Sequence, residues 1–153
     1  MIFDKGVKSE IFLYCQQYVA DRIDRFSSAI ESAQNDANKE TKSSSGDKHE
    51  TGRAMAQLET ENNSKHLIQA QKLKIALGQI NPGVSSNQAE PGALVVTDNG
   101  NFFIAISAGK IDVQGNTIHL ISLASPLGQI LSGKRANESF RINGKTYKIH
   151  QIE

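Results

Sequence analysis

Two acidic residues, Asp47 and Glu50, lie three positions apart in the polar stretch Ser43–Glu50. Their spacing admits two interpretations. In the first, Asp47 caps the amino end of a helix and Glu50 completes a capping box, so that each side chain satisfies an unpaired N–H group of the first turn. In the second, the helix end keeps both carboxylates ionised, and they present the hard oxygen ligands that a cation such as Mg²⁺ requires.

The positive end of a helix also repels a cation, so the acidic pair alone predicts weak Mg²⁺ binding. Tight binding would need further acidic ligands from a partner. His49 lies between the two acids and is either a third ligand or a solvated side chain. The other histidines, His66, His119 and His150, lack the spacing of metal ligands, and Ser43–Ser45 have no paired base for nucleophilic catalysis.

The acidic pair separates two long helical patterns. The first runs from Val7 to about Asn38, and the second runs from Asp47 or Lys48 to about Leu77. Their inward stripes recur at steps of three or four and comprise, in the first helix, Ile11, Cys15, Tyr18, Arg22, Phe26, Ile30, Ala33 and Ala37, and in the second, Met55, Leu58, Leu73, Ala76 and Ile80. A polar turn between two such helices predicts an antiparallel hairpin with the acids at its tip, residues 43–50.

After a polar linker the periodicity changes to that of β-strands. Turn sequences separate several short strands, and Asn143-Gly144 is a strong hairpin signal. One short helix interrupts the strands, with Ser125 as its cap, Pro126 at its first position and Gly133 at its end. The sequence therefore predicts an α+β protein: a long antiparallel α-helical hairpin (1–80), a linker (81–92), and a small antiparallel β-sheet domain with one short helix (93–153).

Composition limits the classes of function. The chain has 153 residues and a net charge of +1, so no overall field favours DNA or a membrane surface, and any role with nucleic acid would act through a protein partner. The single cysteine, Cys15, lies on a helix face and is expected to be a buried, inert thiol. No apolar run approaches a membrane span or a signal peptide, so we expect a cytoplasmic protein.

Two motifs resemble the GreA/GreB family of transcript-cleavage factors of bacterial RNA polymerase. The first is the tip Gly46-Asp47-Lys48-His49-Glu50-Thr51, which is similar to the family's Gly-Asp-x-x-Glu-Asn tip with both acids in register. The second is Ser125-Pro126-Leu127 and the short helix that follows it to Gly133-Lys134, similar to the family's Ser-Pro-Ile/Met turn. The resemblance spans nearly the whole chain and implies that the β-domain is FKBP-like.

The resemblance also implies a mechanism. In that family the hairpin enters the secondary channel of RNA polymerase, and its tip acids help the aspartates of the polymerase to hold a second Mg²⁺ during cleavage of backtracked RNA at its 3′ end. Carried over, Asp47 and Glu50 would be the catalytic and metal-binding pair, shared with the polymerase. Ser125, Pro126 and Leu127 would bind the polymerase. The protein would be a monomeric accessory factor rather than an independent enzyme.

Several positions depart from the family pattern. Ala124 replaces the polar residue that usually precedes Ser-Pro, and Thr51 replaces the Asn after the second acid. The fold does not fix the outcome, because some relatives of this architecture occupy the channel and inhibit without cleavage. A coiled-coil adaptor and a prolyl isomerase-like module are the remaining alternatives, although few aromatic residues are available for an isomerase pocket.

Overall fold

The computed structural model describes residues 3–41 and 46–153, and within these ranges it does not describe the side chains of residues 37, 39–41 and 46–49. The part of the predicted turn at 42–45 therefore lies outside the described residues. The elements in chain order are α1 (Val7–Thr41), α2 (Gly46–Gly78), β1 (Leu94–Thr97), β2 (Gly100–Ile104), β3 (Gly109–Val113), β4 (Asn116–Ile121), α3 (Pro126–Leu131), β5 (Ser139–Ile142) and β6 (Lys145–Ile152).

The predicted α+β class is confirmed. The two long helices α1 and α2 pack as a hairpin, and the ring of Phe26 on α1 stacks on the ring of His66 on α2 with centroids 5.0 Å apart. Neither glycine nor proline occurs within α1, which allows 35 residues of uninterrupted helix. By its internal contacts the chain forms two compact units: the hairpin unit, Tyr18–Lys74, and the sheet unit, which comprises the residues up to Gln17 together with Ile75–Glu153.

The sheet unit contains a six-stranded sheet in the order β3-β4-β2-β1-β6-β5. Every neighbouring pair is antiparallel except β2 and β4, which are parallel. A fully antiparallel sheet was expected, and this pair corrects that expectation. The physical reason is that β3 and β4 form a hairpin in which β3 is the edge strand and β4 is the neighbour of β2. In this arrangement the chain runs through β4 in the same direction as through β2.

Alternation along the strands divides the buried side chains between the two faces of the sheet. On one face Val95, Phe102, Ile104 and Ile149 form a cluster with Leu131 of α3. On the other face the neighbouring positions are also buried, namely Leu94, Phe103, Ile118 and Leu120. Phe102 and Phe103 therefore face opposite ways, as their adjacent positions on one strand predict. A sheet buried on both faces gives this unit a substantial apolar core.

The inward face of α2 differs from the predicted stripe. Met55 and Leu58 were expected to point inward, but 67% and 59% of their surfaces are exposed. In the hairpin unit the buried positions of α2 are Ala56 and Ala70, which are two heptads apart, whereas the buried Leu77 belongs to the sheet unit. In a coiled coil this spacing, and not side-chain size, determines which residues face the partner helix. Small residues at these positions allow the two helices to approach closely.

The polar middle of α2 satisfies its hydroxyl groups within the helix. The Thr60 hydroxyl donates to the carbonyl of Ala56 at 2.9 Å, and the Ser64 hydroxyl donates to the carbonyl of Thr60 at 2.7 Å. Such bonds to the carbonyl four residues earlier remove the need for a partner across the hairpin. The Phe26–His66 stack is a contact between the two helices in this stretch.

Candidate functional site

The amino end of α2 carries both predicted site acids. The helix begins at Gly46, so Asp47 lies inside its first turn and Glu50 one turn further along. A capping residue precedes the first helical residue, and Asp47 is not at that position. Residues three apart on a helix share a face, with Cβ atoms about 5–6 Å apart. The Glu50 side chain is exposed, whereas the side chains of Asp47 and His49 and the serines Ser43–Ser45 lie outside the described residues.

This position determines what the two acids can do. The unpaired N–H groups of a first helical turn create a positive potential that attracts negatively charged groups. Two carboxylates on one helix face give too few ligands to enclose a hard cation by themselves. Within residues 3–41 and 46–153, excluding the undescribed side chains, no three potential metal-ligating groups come together. The acids can therefore contribute to a metal site whose other ligands come from a partner.

A shallow groove lies on the hairpin unit further along α2. It has a volume of about 670 Å³, and its lining includes Asp36 of α1 and Met55, Leu58, Glu59 and His66 of α2. Met55 and Leu58 therefore point outward into this groove, beside the acidic side chains of Asp36 and Glu59. Sequence reasoning missed this surface because it assigned the two apolar residues to the helix interface.

Ser125 and Pro126 begin the short helix α3, as predicted. The Ser125 hydroxyl accepts a hydrogen bond from the N–H of Gly128 at 3.0 Å and donates one to the carbonyl of Ser122 at 2.7 Å. A Cβ atom on Gly128 would lie 2.0 Å from the Ser122 carbonyl oxygen, so only glycine allows α3 to approach the preceding loop this closely. The turn is thus rigidly attached to the sheet unit.

The three predicted partner-binding residues have different environments. Pro126 is exposed, Ser125 is half-buried in its capping role, and Leu127 packs against the apolar cluster on the sheet. Ile130, one turn after Pro126, has 40% of its surface exposed. The most exposed apolar side chains of α3 are therefore Pro126 and Ile130. Ile130 lies four residues after Pro126, and residues at this spacing share a helix face. Ile130 could therefore have been predicted from the sequence, but it was not.

Four rings in the sheet unit pack against one another: Phe102, His119, Phe140 and Tyr147. Phe140 and Tyr147 stack with centroids 4.9 Å apart, and Phe102 contacts both rings edge-on. His119 stacks on Phe102 at 5.4 Å. Ring-to-ring contacts of this kind are typical of a core. These side chains therefore stabilise one face of the sheet. This packing counts against the isomerase-like alternative, which needs aromatic residues to line a pocket.

Two buried side chains of α1 have perturbed ionisation. Burial lowers the pKa of Lys8 below its usual value, and the opposing influence of Glu153 and Glu90 is smaller; the ammonium donates to the carbonyl of Val84 at 2.7 Å. Burial raises the pKa of the Cys15 thiol to about 11. The thiol is fully buried and stays protonated at neutral pH, in agreement with the prediction of a buried, inert cysteine.

Comparison of the chain with protein-family profiles, with curated proteins and with solved structures gives no match. No helix in the described part of the chain combines the length and the apolar character that crossing a membrane requires.

Proposed function

We propose that this protein is a transcription elongation factor of the GreA/GreB type, which inserts its hairpin tip into the secondary channel of RNA polymerase and stimulates cleavage of backtracked RNA. The observation that carries the proposal is the location of Asp47 and Glu50 on one face of α2 near its amino end, where the chain passes between two helices of 35 and 33 residues. It is supported by the resemblance of both motifs to that family.

The residues of this chain would act by orienting charge. Asp47 and Glu50 would present their carboxylates to an active site that supplies further acidic ligands. Mg²⁺ bound jointly with the polymerase would stabilise the charge on the attacking and leaving oxygens. The pair would also orient a water molecule near the RNA 3′ end. On this proposal the chain completes the active site of another enzyme and acts in the cytoplasm.

Docking would use the sheet unit. The Ser125–Leu127 turn would bind the polymerase, with Pro126 and Ile130 as the accessible apolar contacts. An FKBP-like fold of this domain is part of the same proposal. The alternative within the same architecture is a channel-binding regulator that blocks the polymerase without cleavage. Both alternatives place the hairpin in the channel, and they differ in whether the two carboxylates are needed.

Neutral replacements of the acids test the proposal. Asp47→Asn and Glu50→Gln keep the size and helix-forming capacity of each side chain but remove its charge. In a stalled elongation complex each variant should still bind polymerase, yet stimulate RNA 3′-end cleavage roughly a hundredfold less, which corresponds to about 3 kcal/mol of transition-state stabilisation. Added Mg²⁺ should restore part of this activity.

Glu61→Gln provides the matched control, because Glu61 is an exposed acid further along the same helix. This variant should cleave like the natural protein. Full cleavage by both tip variants would contradict the catalytic assignment. A natural protein that binds polymerase and slows synthesis, with no cleavage, would establish the channel-blocking alternative.

A further inference from the structure

The strand β3 forms one open edge of the sheet and directs backbone groups outward. Its turn to β4, Gln114–Gly115, has φ angles of 52° and 77°, so Val113 and Asn116 are the hydrogen-bonded pair that closes a two-residue hairpin. Bonded and non-bonded pairs alternate along an antiparallel ladder. The N–H and C=O groups of Lys110 and Asp112 therefore point away from β4, and no described residue pairs with them.

The side chains along this edge have a symmetric pattern. Lys110 and Asp112 are exposed and carry opposite charges, and half-buried Ile111 lies between them. The Thr117 hydroxyl donates to Asp112 Oδ1 at 2.7 Å, which holds the carboxylate over the sheet beside the edge. Read in reverse, Lys-Ile-Asp becomes Asp-Ile-Lys, so the charges of this edge are complementary to those of an antiparallel copy of itself.

An antiparallel pairing centred on Ile111 would satisfy the backbone and the charges in one register. Each Lys110 would lie opposite Asp112 of the other copy, and opposite charges directly across a strand pair stabilise it. These two residues are also the ones with outward N–H and C=O groups, so each such position would form two backbone hydrogen bonds. The two Ile111 side chains would meet at the intervening non-bonded position, where side chains lie closest.

Apolar surface lies next to the same edge. Leu13 and Tyr14 of α1 have 64% and 42% of their surfaces exposed, and they line a groove of about 630 Å³ together with Ile111 and Val113. In a symmetric pair of strands the same face of each sheet continues into the other. The two grooves would therefore lie on the same side, and pairing of the strands would bring the exposed side chains of both copies together.

We propose that β3 is a dimerisation edge, where a second copy of this chain pairs antiparallel about Ile111 and extends the sheet. The self-complementary charges favour a second copy over an unrelated extended peptide, which would need the same alternation of acid and base. The opposite edge of the sheet lacks this property, because β5 carries Arg141 and no acidic residue. This inference is independent of the proposed role in transcription.

Charge reversal at the edge tests the pairing. In analytical ultracentrifugation the natural chain should approach twice its 16.7 kDa mass as its concentration rises. Lys110→Asp and Asp112→Lys each place like charges opposite one another and should weaken self-association at least about tenfold, the change that 1.4 kcal/mol produces. An equimolar mixture of the two variants should associate again, because an all-acidic edge then faces an all-basic edge.

Arg141→Asp is the matched control, since it reverses a charge on the other edge strand and should leave association unchanged. Hydrogen exchange of the Lys110 and Asp112 amides gives a local measurement on the natural chain, and it decides the question even if a charge reversal prevents folding. Their exchange should slow as concentration rises. A chain that stays monomeric, a variant mixture that does not associate, or association without slower exchange at these two amides would overturn the proposal.

Discussion

The sheet unit and the hairpin unit bury different kinds of side chain. In the sheet unit, the fully buried residues include Phe103, Leu94 and Ile118, on a sheet covered on both faces. Among the described residues of the hairpin unit, the buried apolar side chains are Val19, Ala33, Ala56 and Ala70. Burial of apolar area stabilises by about 25 cal/mol per Å². A residue in the hairpin unit therefore contributes less on average, and we expect local opening to require less free energy there than in the sheet.

This difference matches the roles proposed for the two units. A rigid sheet unit can hold the Ser125–Leu127 turn and the β3 edge in fixed positions. A pair of helices whose buried side chains are mostly alanines should deform more easily, as insertion into a narrow channel would require. If the two units differ in this way, removal of a buried side chain from the sheet unit should cost more stability than removal of a side chain from the hairpin unit.

Phe103→Ala should have the largest effect. Phe103 is completely buried in the sheet, and removal of a buried aromatic ring typically costs about 3–5 kcal/mol through lost transfer free energy and the cavity left behind. Urea unfolding followed by circular dichroism measures the change. Phe103→Leu should cost less because it retains part of the volume. A loss below about 1 kcal/mol for Phe103→Ala would show that the sheet core is not the main source of stability.

Ionisation of the Cys15 thiol should change the stability of the protein by a smaller amount, and this change should depend on pH. Burial raises the thiol pKa from 9.0 to about 11, so the folded state retains a proton that the unfolded state releases between these values. Stability contributed by the neutral thiol is fully present below pH 9 and is lost as pH rises toward 11, about 2–3 kcal/mol in total. Cys15→Ala should flatten this part of the stability profile relative to the natural chain. Equal alkaline slopes in both proteins would contradict the assignment.

Much of the architecture could be predicted from local patterns. The uninterrupted helical period predicts α1, and Ser125, Pro126 and Gly133 place the short helix because each residue suits a specific terminal position. Asn143-Gly144 predicts its hairpin for the same reason. The parallel pairing of β2 with β4 could not be predicted, because the order of strands in a sheet depends on contacts between residues distant in sequence.

The candidate site could be predicted only in part. The spacing of Asp47 and Glu50 indicates one helix face whether the helix begins at Gly46 or one residue later. Leu127 was interpreted as an exposed tip, but it packs on the core, since one face of a short helix must cover the sheet beneath it. The accessible residue Ile130 emerges only when the orientation of α3 is known.

The smallest change in stability is expected for a substitution on the outer face of α2. This substitution tests directly whether that face is free of packing contacts. Leu58 and Leu77 lie within the same helix, Leu58 in the hairpin unit and Leu77 in the sheet unit, with 59% and 3% of their surfaces exposed. Leu→Ala changes helix propensity by a similar small amount at both positions, so the difference between the two variants isolates packing. Leu77→Ala should cost about 2–5 kcal/mol, whereas Leu58→Ala should change stability by no more than about 0.5 kcal/mol. Urea unfolding of both variants under one condition provides the measurement. A comparable loss in both would show that Leu58 contributes packing in the hairpin unit as large as that of Leu77 in the sheet unit, and it would remove the contrast between the two units.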